Sequence, residues 1–288
     1  MKNRFISAAI YFICIGFGVL SFLYPFFLPQ VMEQQSIASA HTSETPFLYV
    51  LLMGLSVVVL LFEAQGQAVK TRQIALLGVL IAINSVLRFI DVAIPGPGGF
   101  SPIFFLIILT GVVFGGRFGF LMGALTLFVS AIITGGVGPW LPAQMFSSGW
   151  VGMSSALCRP IISRLRLSGK SSEVWLLAVV GFVWGLVFGA IMDLWGWPFL
   201  AGPADQYWTP GIGLADTLHR FLVYYLVTSL PWDLARSIGN VLLIGLFGAP
   251  TLRALRRFER KLTFTMEPAQ EASIAVEQPL AGQPWQES

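Results

Sequence analysis

Long apolar runs with very little charge are the feature that most constrains how this chain can fold. Hydrophobic residues make up 56% of its 288 residues, whereas Asp, Glu, Lys and Arg together make up only 11%. A soluble domain carries about 25% charged residues, and a helix needs about 20 apolar residues to cross the hydrocarbon core of a bilayer. The chain is therefore predicted to be an all-α, polytopic membrane helix bundle.

Eight stretches are apolar enough to be membrane-spanning helices. They lie at approximately 5–28, 46–65, 72–93, 101–116, 118–135, 143–163, 174–194 and 231–251. The fourth and fifth stretches are short and meet at a Gly-Gly-Arg turn, so they are expected to be tilted or buried within the bundle. Residues 263–288 are rich in Gln, Glu, Ala and Pro, and this composition predicts a disordered cytoplasmic tail.

Basic residues occur in every second loop of this eight-span arrangement. The basic loops contain Lys2, Arg4, Lys70, Arg72, Arg117, Arg159, Arg164, Arg166, Lys170, Arg253, Arg256, Arg257, Arg260 and Lys261. The alternate loops carry carboxylates, and only Arg88, Arg220 and Arg236 fall outside the basic set. Because Lys and Arg concentrate in cytoplasmic loops, we expect a multi-pass protein of the cell membrane with both termini in the cytoplasm.

Residues 213–230 are the one segment that conflicts with the count of eight spans, because they are also apolar enough to cross the membrane. If they crossed, the basic tail would lie outside the cell. We expect instead an amphipathic helix that packs over the outer face, carries His219 and Arg220, and leads through Pro231 into the last span.

Several kinds of chemistry have no recognisable motif in the chain. Cys14 and Cys158 are far apart in apolar runs, and His41 and His219 are the only histidines. No zinc motif and no nucleotide-binding P-loop is present. The sequence therefore predicts no catalytic residue, metal, cofactor or nucleic-acid partner.

Polar and aromatic residues of the predicted spans concentrate at their outer ends. The candidates for a binding site there are Arg88, Asp91, Trp140, Gln144, Trp195, Trp232, Asp233, Arg236 and Asn240. Polar residues within membrane spans are costly and usually functional. The alternative for the tryptophans is an aromatic belt at the membrane boundary, and the alternative for Arg88 and Asp91 is a simple pair on one helix face.

Asp233, Arg236 and Asn240 follow one another at intervals of three and four residues, so they line one stripe of the last span. Such a stripe is expected to face protein or water rather than lipid. A buried polar pocket and a structural hydrogen-bond network explain this pattern equally well.

Small residues recur four positions apart on several spans, which allows helix backbones to approach closely. They are Gly78 and Ala82, Gly111 and Gly115, Gly119 and Gly123, and Gly181, Gly185 and Gly189. We expect packing within the bundle to explain most of these pairs. One of the helix faces that they form is available to a partner protein.

The stretch GGVGPWLPAQMFSSGW, residues 135–150, interrupts two apolar runs without any charge. Pro139 and Pro142 prevent a regular helix through the turn, and its glycines permit a left-handed backbone. Trp140 offers a flat apolar surface with one N–H group, and Gln144 offers a donor and an acceptor. We expect a re-entrant or capping loop at the outer mouth of a cavity.

At these residues the sequence resembles the membrane-embedded S component of an energy-coupling factor transporter. The resemblance extends over six spans, from about Thr71 to Arg260. It is carried by the Gly-Pro-Trp-x-Pro-x-Gln-Met block at 138–145, by the short fourth and fifth spans, and by a late block with Ser229, Trp232, Asp233 and Arg236, followed by Asn240. It implies a six-helix core at 71–262, preceded by two additional N-terminal transmembrane helices at 1–70.

The resemblance also implies a function and partners. S components bind a vitamin at the outer face and deliver it with a transmembrane coupling subunit and two cytoplasmic ATPases. The family contacts its coupling subunit through a small-x3-small motif on the first core helix. Gly78 and Ala82 match that motif, with Gly in place of the usual first Ala, and Ala75 lies one turn earlier.

The substrate class is inferred from the same block. Members with the Gly-Pro-Trp-x-Pro-x-Gln-Met block resemble those assigned to cobalamin or its precursors, and a large, amide-rich solute suits Trp, Gln and Asn. Riboflavin, queuosine precursors and other vitamins are alternatives. The competing functions are a stand-alone secondary permease driven by an ion gradient, and a membrane enzyme acting on a lipid-linked substrate with carboxylates such as Asp205, Asp216 and Asp233 beside His219.

Overall fold

The computed structural model describes residues 16, 71–94, 99–200, 202–203, 205–209 and 211–263. The predicted spans at 5–28, apart from Gly16, and at 46–65 lie outside the described residues, as does the predicted tail after residue 263. The described residues form helices joined by turns, with no strand among them. The predicted all-α bundle is therefore confirmed.

Eight α-helices make up the described part of the chain. In order they are α1 Thr71–Ala93, α2 Ile103–Phe114, α3 Gly116–Thr134, α4 Leu141–Ser155, α5 Cys158–Arg164, α6 Ser171–Gly196, α7 Leu214–Tyr224 and α8 Leu230–Thr263. A 3-10 turn, Trp197–Phe199, follows α6, and a π-helical turn, Tyr225–Ser229, joins α7 to α8. Four helical segments, Arg72–Ala93, Gly116–Thr134, Ser171–Phe199 and Leu214–Lys261, are long and apolar enough to cross a membrane.

Helix α2 has only 12 residues, and its residues from Ile103 to Val113 are all buried. It contacts α3, α4 and α8. A helix that is apolar on every face is buried by neighbours on every side, so α2 is the centre of the bundle. The expectation that the short spans are buried is thus confirmed for this helix.

The prediction of one continuous helix at 143–163 is wrong, because the structure divides this segment into the two helices α4 and α5. Ala156 and Leu157 form a turn between the two helices. Pro160 lies two residues into α5. A proline has no N–H to donate to the carbonyl four residues earlier, and its ring crowds that carbonyl, so a regular helix is not continued through Ala156.

Residues 213–230 are helical, as predicted, from Leu214 onwards. Helix α7, the π-helical turn and α8 follow one another without a non-helical residue. The segment Leu214–Lys261 has 48 residues, which at 1.5 Å per residue is about 72 Å. That length exceeds a hydrocarbon core of about 30 Å, so a single perpendicular span does not accommodate the whole segment.

Glycines form the closest helix contacts in the bundle. A Cβ atom at Gly119 would overlap Gly111 and Gly152, and one at Gly123 would overlap the backbone of Ser148. Helices α3 and α4 therefore meet backbone to backbone. This result confirms that most of the small-residue spacings serve packing within the bundle.

The bundle has two chemically different ends. The basic end comprises the Gly115–Arg117 turn, α5 and residues 165–170, and the last part of α8, and it carries most of the described Lys and Arg residues. The tryptophan end is the opposite end, with Trp140, Trp195, Trp197 and Trp232. The predicted functional residues lie towards the tryptophan end, except for Ala75, Gly78 and Ala82.

Candidate functional site

The interface between α6 and α8 is built from glycines on one helix and polar side chains on the other. Gly189 faces the Asp233 carboxylate, and Gly185 faces Ser237. Each contact leaves no room for a Cβ atom on α6. The glycines predicted to pack within the bundle thus create the space in which the polar stripe of α8 is buried.

Asp233 and Arg236 form an ion pair on this stripe. Arg236 Nη1 donates to Asp233 Oδ1 at 2.5 Å and to the Gly185 carbonyl at 3.4 Å. The guanidinium also lies 5.6 Å from the centre of the Phe188 ring, which is a cation–π distance. Asp233 is only 3% exposed, so the pair is held inside the protein rather than facing lipid.

Asp193 of α6 joins this pair from the opposite helix. Its side chain interacts with the Ser229 hydroxyl and with the charges of Asp233 and Arg236. The Tyr225 hydroxyl interacts with Asp233 as well. Two carboxylates, one guanidinium and two hydroxyls therefore form a cluster, which we call the acidic cluster: Asp193, Tyr225, Ser229, Asp233 and Arg236.

Asn240 lies deeper on the same stripe and is fully buried. Its Nδ2 atom donates to the Gly181 carbonyl at 2.9 Å, which fixes α8 against α6. Its Oδ1 atom, like Asp193 Oδ2 and Asp233 Oδ2, makes no hydrogen bond of normal geometry with any described residue. Hydrogen bonds within the protein therefore account for part of this polar stripe. The three oxygen atoms just named remain available as hydrogen-bond acceptors.

Arg88 and Asp91 form an ion pair with each other, which agrees with the alternative that they are a simple pair on one helix face. Arg88 Nη1 lies 2.8 Å from Asp91 Oδ2, and the Ser101 hydroxyl donates to the same oxygen at 3.0 Å. Two residues earlier, Gly99 lies against Trp232, since a Cβ atom on it would be 3.6 Å from Trp232 Cβ. Residues 99–101 thus connect the end of α1 to the start of α8.

Trp195 is buried between the ends of α6 and α4. It packs against Ala143, and its ring centre lies 5.6 Å from that of Phe199. Nearby, the Ser147 hydroxyl lies 4.0 Å from the sulfur of Met192. The indole Nε1 of Trp195 has no acceptor in the described part of the chain, which leaves one donor unused inside the tryptophan end.

The Gly135–Trp140 segment is a compact turn that caps α4, and no re-entrant loop is formed there. Gly135 ends α3 with φ = 67°, a left-handed conformation that glycine adopts without strain. The Trp140 ring packs on Gly138, and its Nε1 donates to the Gly136 carbonyl at 3.2 Å. The N–H of Trp140 is therefore used by the turn, while Gln144 remains half-buried on the first turn of α4.

Sequence reasoning missed several polar groups of this end. Asn84 is fully buried on α1, where Nδ2 donates to the Ile103 carbonyl at 3.2 Å and to Thr126 Oγ1 at 3.3 Å. A single amide within an apolar helix was the available signal. Tyr225 and Ser237 gave no such signal, because hydroxyl residues are common in membrane helices and their positions depend on α6.

The predicted coupling motif lies on an exposed face of α1. Ala75, Gly78 and Ala82 are exposed, and a Cβ atom at Gly78 would meet nothing within 4 Å. The same face carries Val79 and Val86, which are also exposed. Unlike the glycines of α3 and α6, these small residues contribute to no contact within the described bundle.

Two cavities of substantial size lie at the basic end, away from the predicted binding residues. One, of about 410 Å³, lies between α6 and α8. The other, of about 470 Å³, lies between α5 and α8, with Arg159 and Arg166 in its wall. Neither is lined by a residue that the sequence assigned to substrate binding.

Apolar helices of spanning length define a polytopic, helical membrane protein, and the polar groups described above gather towards one end of its bundle. Residues 72–246, which are more than half of the chain, match the family model described as the ECF transporter, substrate-specific component. The chain belongs to this family, and the predicted resemblance is confirmed. No curated protein and no solved structure gives a significant match.

Membership of this family sets the general role of the chain. It is the substrate-binding membrane subunit of a transporter and not one of the family's ATPases. The family associates with an ECF module made of a coupling subunit and ATPases. The protein is thus a multi-pass membrane protein.

Proposed function

We propose that this chain captures a vitamin, with cobalamin or a cobalamin precursor favoured, at the tryptophan end of the bundle. The captured molecule is passed inward with a transmembrane coupling subunit and two cytoplasmic ATPases. In this proposal the tryptophan end faces outward and both termini are cytoplasmic. Residues 71–262 form the transporting core, and residues 1–70 add two transmembrane helices whose role is not assigned.

The observation that carries the proposal is the unused hydrogen-bonding capacity of the tryptophan end. Asp193 Oδ2, Asp233 Oδ2 and Asn240 Oδ1 are buried acceptors, and Trp195 Nε1 is a buried donor, with no regular partner among the described residues. Buried polar groups without partners are costly. A solute with several amide donors and acceptors would satisfy them, which supports an amide-bearing substrate.

The surroundings of these groups also fit such a solute. Trp232 is 57% exposed and Trp140 is 37% exposed, so each presents an aromatic face at this end. Gln144 adds an uncharged donor and acceptor. The one guanidinium of the acidic cluster, Arg236, is already paired with Asp233, and the Arg88 guanidinium is paired with Asp91. We therefore expect hydrogen bonds and aromatic contacts, rather than free charges, to select the substrate.

The coupling step is assigned to the exposed face of α1. Small residues at Ala75, Gly78 and Ala82 would let a partner helix approach closely. The glycines spaced four apart on α3 and α6 are in close contact within the bundle, whereas a Cβ atom at Gly78 would meet no other described residue. The exposure of this α1 face supports its use by the coupling subunit.

A secondary permease is the second candidate, and one observation favours it. Asp193 and Asp233 are carboxylates close to one another near the end of a membrane helix, which is an arrangement that ion-coupled transporters use. An enzyme acting on lipid-linked substrates has less support, because His219 and Asp216 are exposed on α7 whereas Asp233 is buried.

Mass spectrometry of small molecules retained by the purified protein tests the proposed substrate directly. We expect a corrinoid to co-purify and to be lost from an Asp233→Ala, Asn240→Ala variant that still folds. Isothermal titration with cobalamin, a corrinoid precursor and riboflavin then ranks the alternatives. Retention of a different vitamin would reject the corrinoid assignment, and the absence of any bound or titratable vitamin would reject the site.

A further inference from the structure

The cavity between α6 and α8 at the basic end is an open groove with apolar walls. Its α8 wall runs from Val241 to Arg256, which is about 22 Å along the helix at 1.5 Å per residue. Trp175 of α6 forms the opposite wall. Trp175 is 67% exposed and Leu246 is 70% exposed, so apolar side chains of the groove are uncovered on the outside of the described bundle.

Small residues on α8 keep the groove open between its walls. Gly245 and Ala249 lie one turn apart on the α8 wall. A Cβ atom added at Gly245 would meet nothing within 4 Å. This glycine therefore serves no close helix contact, in contrast to Gly181 and Gly185 of α6, whose Cβ positions are filled by α8 side chains.

Positive charge is concentrated where the groove reaches the basic end. Lys170, Arg253 and Arg256 line this part of the cavity together with Glu173. Arg256 is paired with the buried Glu173, whereas Lys170 and Arg253 are exposed and make no ion pair with another described residue. Three cations against one carboxylate leave a net charge of +2 at the mouth.

We propose that this groove binds an anionic phospholipid from the leaflet that surrounds the basic end. Its phosphate contacts Lys170 and Arg253, and one acyl chain lies along Gly245 and Leu242. The combination of a charged mouth with an apolar floor that opens to the bilayer matches an amphiphile of this kind. The inference is independent of which vitamin the opposite end binds.

Native mass spectrometry of the purified full chain tests this proposal. The protein is titrated with phosphatidylglycerol or with phosphatidylcholine carrying the same acyl chains. We expect phosphatidylglycerol to bind at least about tenfold more tightly, since each basic residue near an anionic headgroup strengthens binding severalfold. Lys170→Ala with Arg253→Ala should remove most of this preference, and Gly245→Leu should weaken the binding of both lipids.

Two matched variants control for charge and for bulk. Arg164→Ala with Arg257→Ala removes the same charge from the basic end outside the groove, and Gly78→Leu adds the same side chain to another exposed helix position. Both should keep wild-type lipid binding, and thermal melts confirm that all variants fold. Equal binding of the two lipids, or an equal loss in the Arg164, Arg257 variant, would overturn the proposal.

A different occupant would give a different result. The acidic residues after 263 are the alternative within this chain, because Glu267, Glu271, Glu277 and Glu287 follow directly on α8. If they filled the groove, the full chain would bind phosphatidylglycerol no better than phosphatidylcholine, and a chain ending at residue 263 would acquire the preference. That outcome would also overturn the lipid assignment.

Discussion

Arg256 of α8 donates two hydrogen bonds to the Glu173 carboxylate at the start of α6. Arg256 Nη1 lies 3.0 Å from Glu173 Oε2, and Nη2 contacts Oε1. The Gly169 amide donates to the same carboxylate at 2.7 Å. Glu173 is 1% exposed, so this pair locks the basic ends of the two helices whose other ends hold the acidic cluster.

The first prediction follows from the burial of this pair. Arg256→Met leaves the Glu173 carboxylate buried without its counter-charge, which typically costs about 3–5 kcal/mol. The double variant Glu173→Gln, Arg256→Met removes both charges and should be less destabilised than the single variant. Thermal or denaturant unfolding in detergent measures both.

The exposed pair between Arg159 and Glu259 provides the control for this prediction. Its atoms lie 3.0 Å apart, but Arg159 is 47% exposed, so Arg159→Met should change stability by less than about 1 kcal/mol. If Arg256→Met were equally mild, the buried pair would not lock the two helices.

The second prediction separates coupling from binding. Gly78→Leu adds a bulky side chain where the structure has open space, so the fold and substrate affinity should be unchanged. Uptake by the complete transporter should fall by about tenfold or more, because close approach of a partner helix depends on small residues. Radiolabelled uptake and calorimetric binding on the same variant measure the two effects.

Ile83→Phe provides the matched control on the same helix. Ile83 is exposed, and five residues of helix place it about 140° around the axis from Gly78. This variant should transport normally. Parallel loss of binding and uptake in Gly78→Leu would instead show that Gly78 is needed for the fold.

The third prediction concerns the turn that caps α4. Because the Trp140 N–H is used by the Gly136 carbonyl, a ligand at this position can contact only the ring. Trp140→Phe should therefore keep most of the affinity but lower the melting temperature, whereas Trp140→Ala should weaken binding by about tenfold or more. Calorimetric titration beside a thermal melt separates these effects.

Gln144 should contribute less to binding than the Trp140 ring. Gln144→Ala removes one or two hydrogen bonds, each worth about 0.5–1.5 kcal/mol. Gln144→Glu should be more harmful if the ligand presents an acceptor to the amide. Unaltered affinity in a Trp140→Ala, Gln144→Ala double variant would remove this turn from the site.

The fourth prediction is the orientation of the bundle, tested by labelling introduced cysteines in a chain without Cys14 and Cys158. Arg257 is a suitable position at the basic end, and Asp205 is a suitable position at the other end. Both positions are exposed. An impermeant reagent added outside cells should label position 205 and spare position 257. The reverse pattern would invert the proposed topology.

The helical architecture could be predicted from the sequence because hydropathy and span length depend on local composition. The ends of α1, α3 and α6 fall within about three residues of the predicted limits. The break between α4 and α5 was missed because a proline near the end of an apolar run does not indicate whether the helix kinks or divides. That outcome depends on tertiary packing.

The candidate site was predictable only in part, and the reason is again tertiary. Spacing along α8 predicted that Asp233, Arg236 and Asn240 share a face. It did not predict that this face lies against glycines of α6, or that Asp193 reaches the same cluster. Contacts between segments that are distant in sequence cannot be read from local residue spacing. For the same reason, spacing could not distinguish the exposed Gly78 from the buried Gly185.

The proposed role of this chain requires that it work with an ECF module. Affinity purification of the tagged chain from its native membrane, in mild detergent, measures this association. We predict that a transmembrane coupling subunit and two ATPases co-purify, and that Gly78→Leu loses them while retaining bound vitamin. Purification of the chain without these partners, together with vitamin uptake by the chain alone in proteoliposomes, would contradict the account.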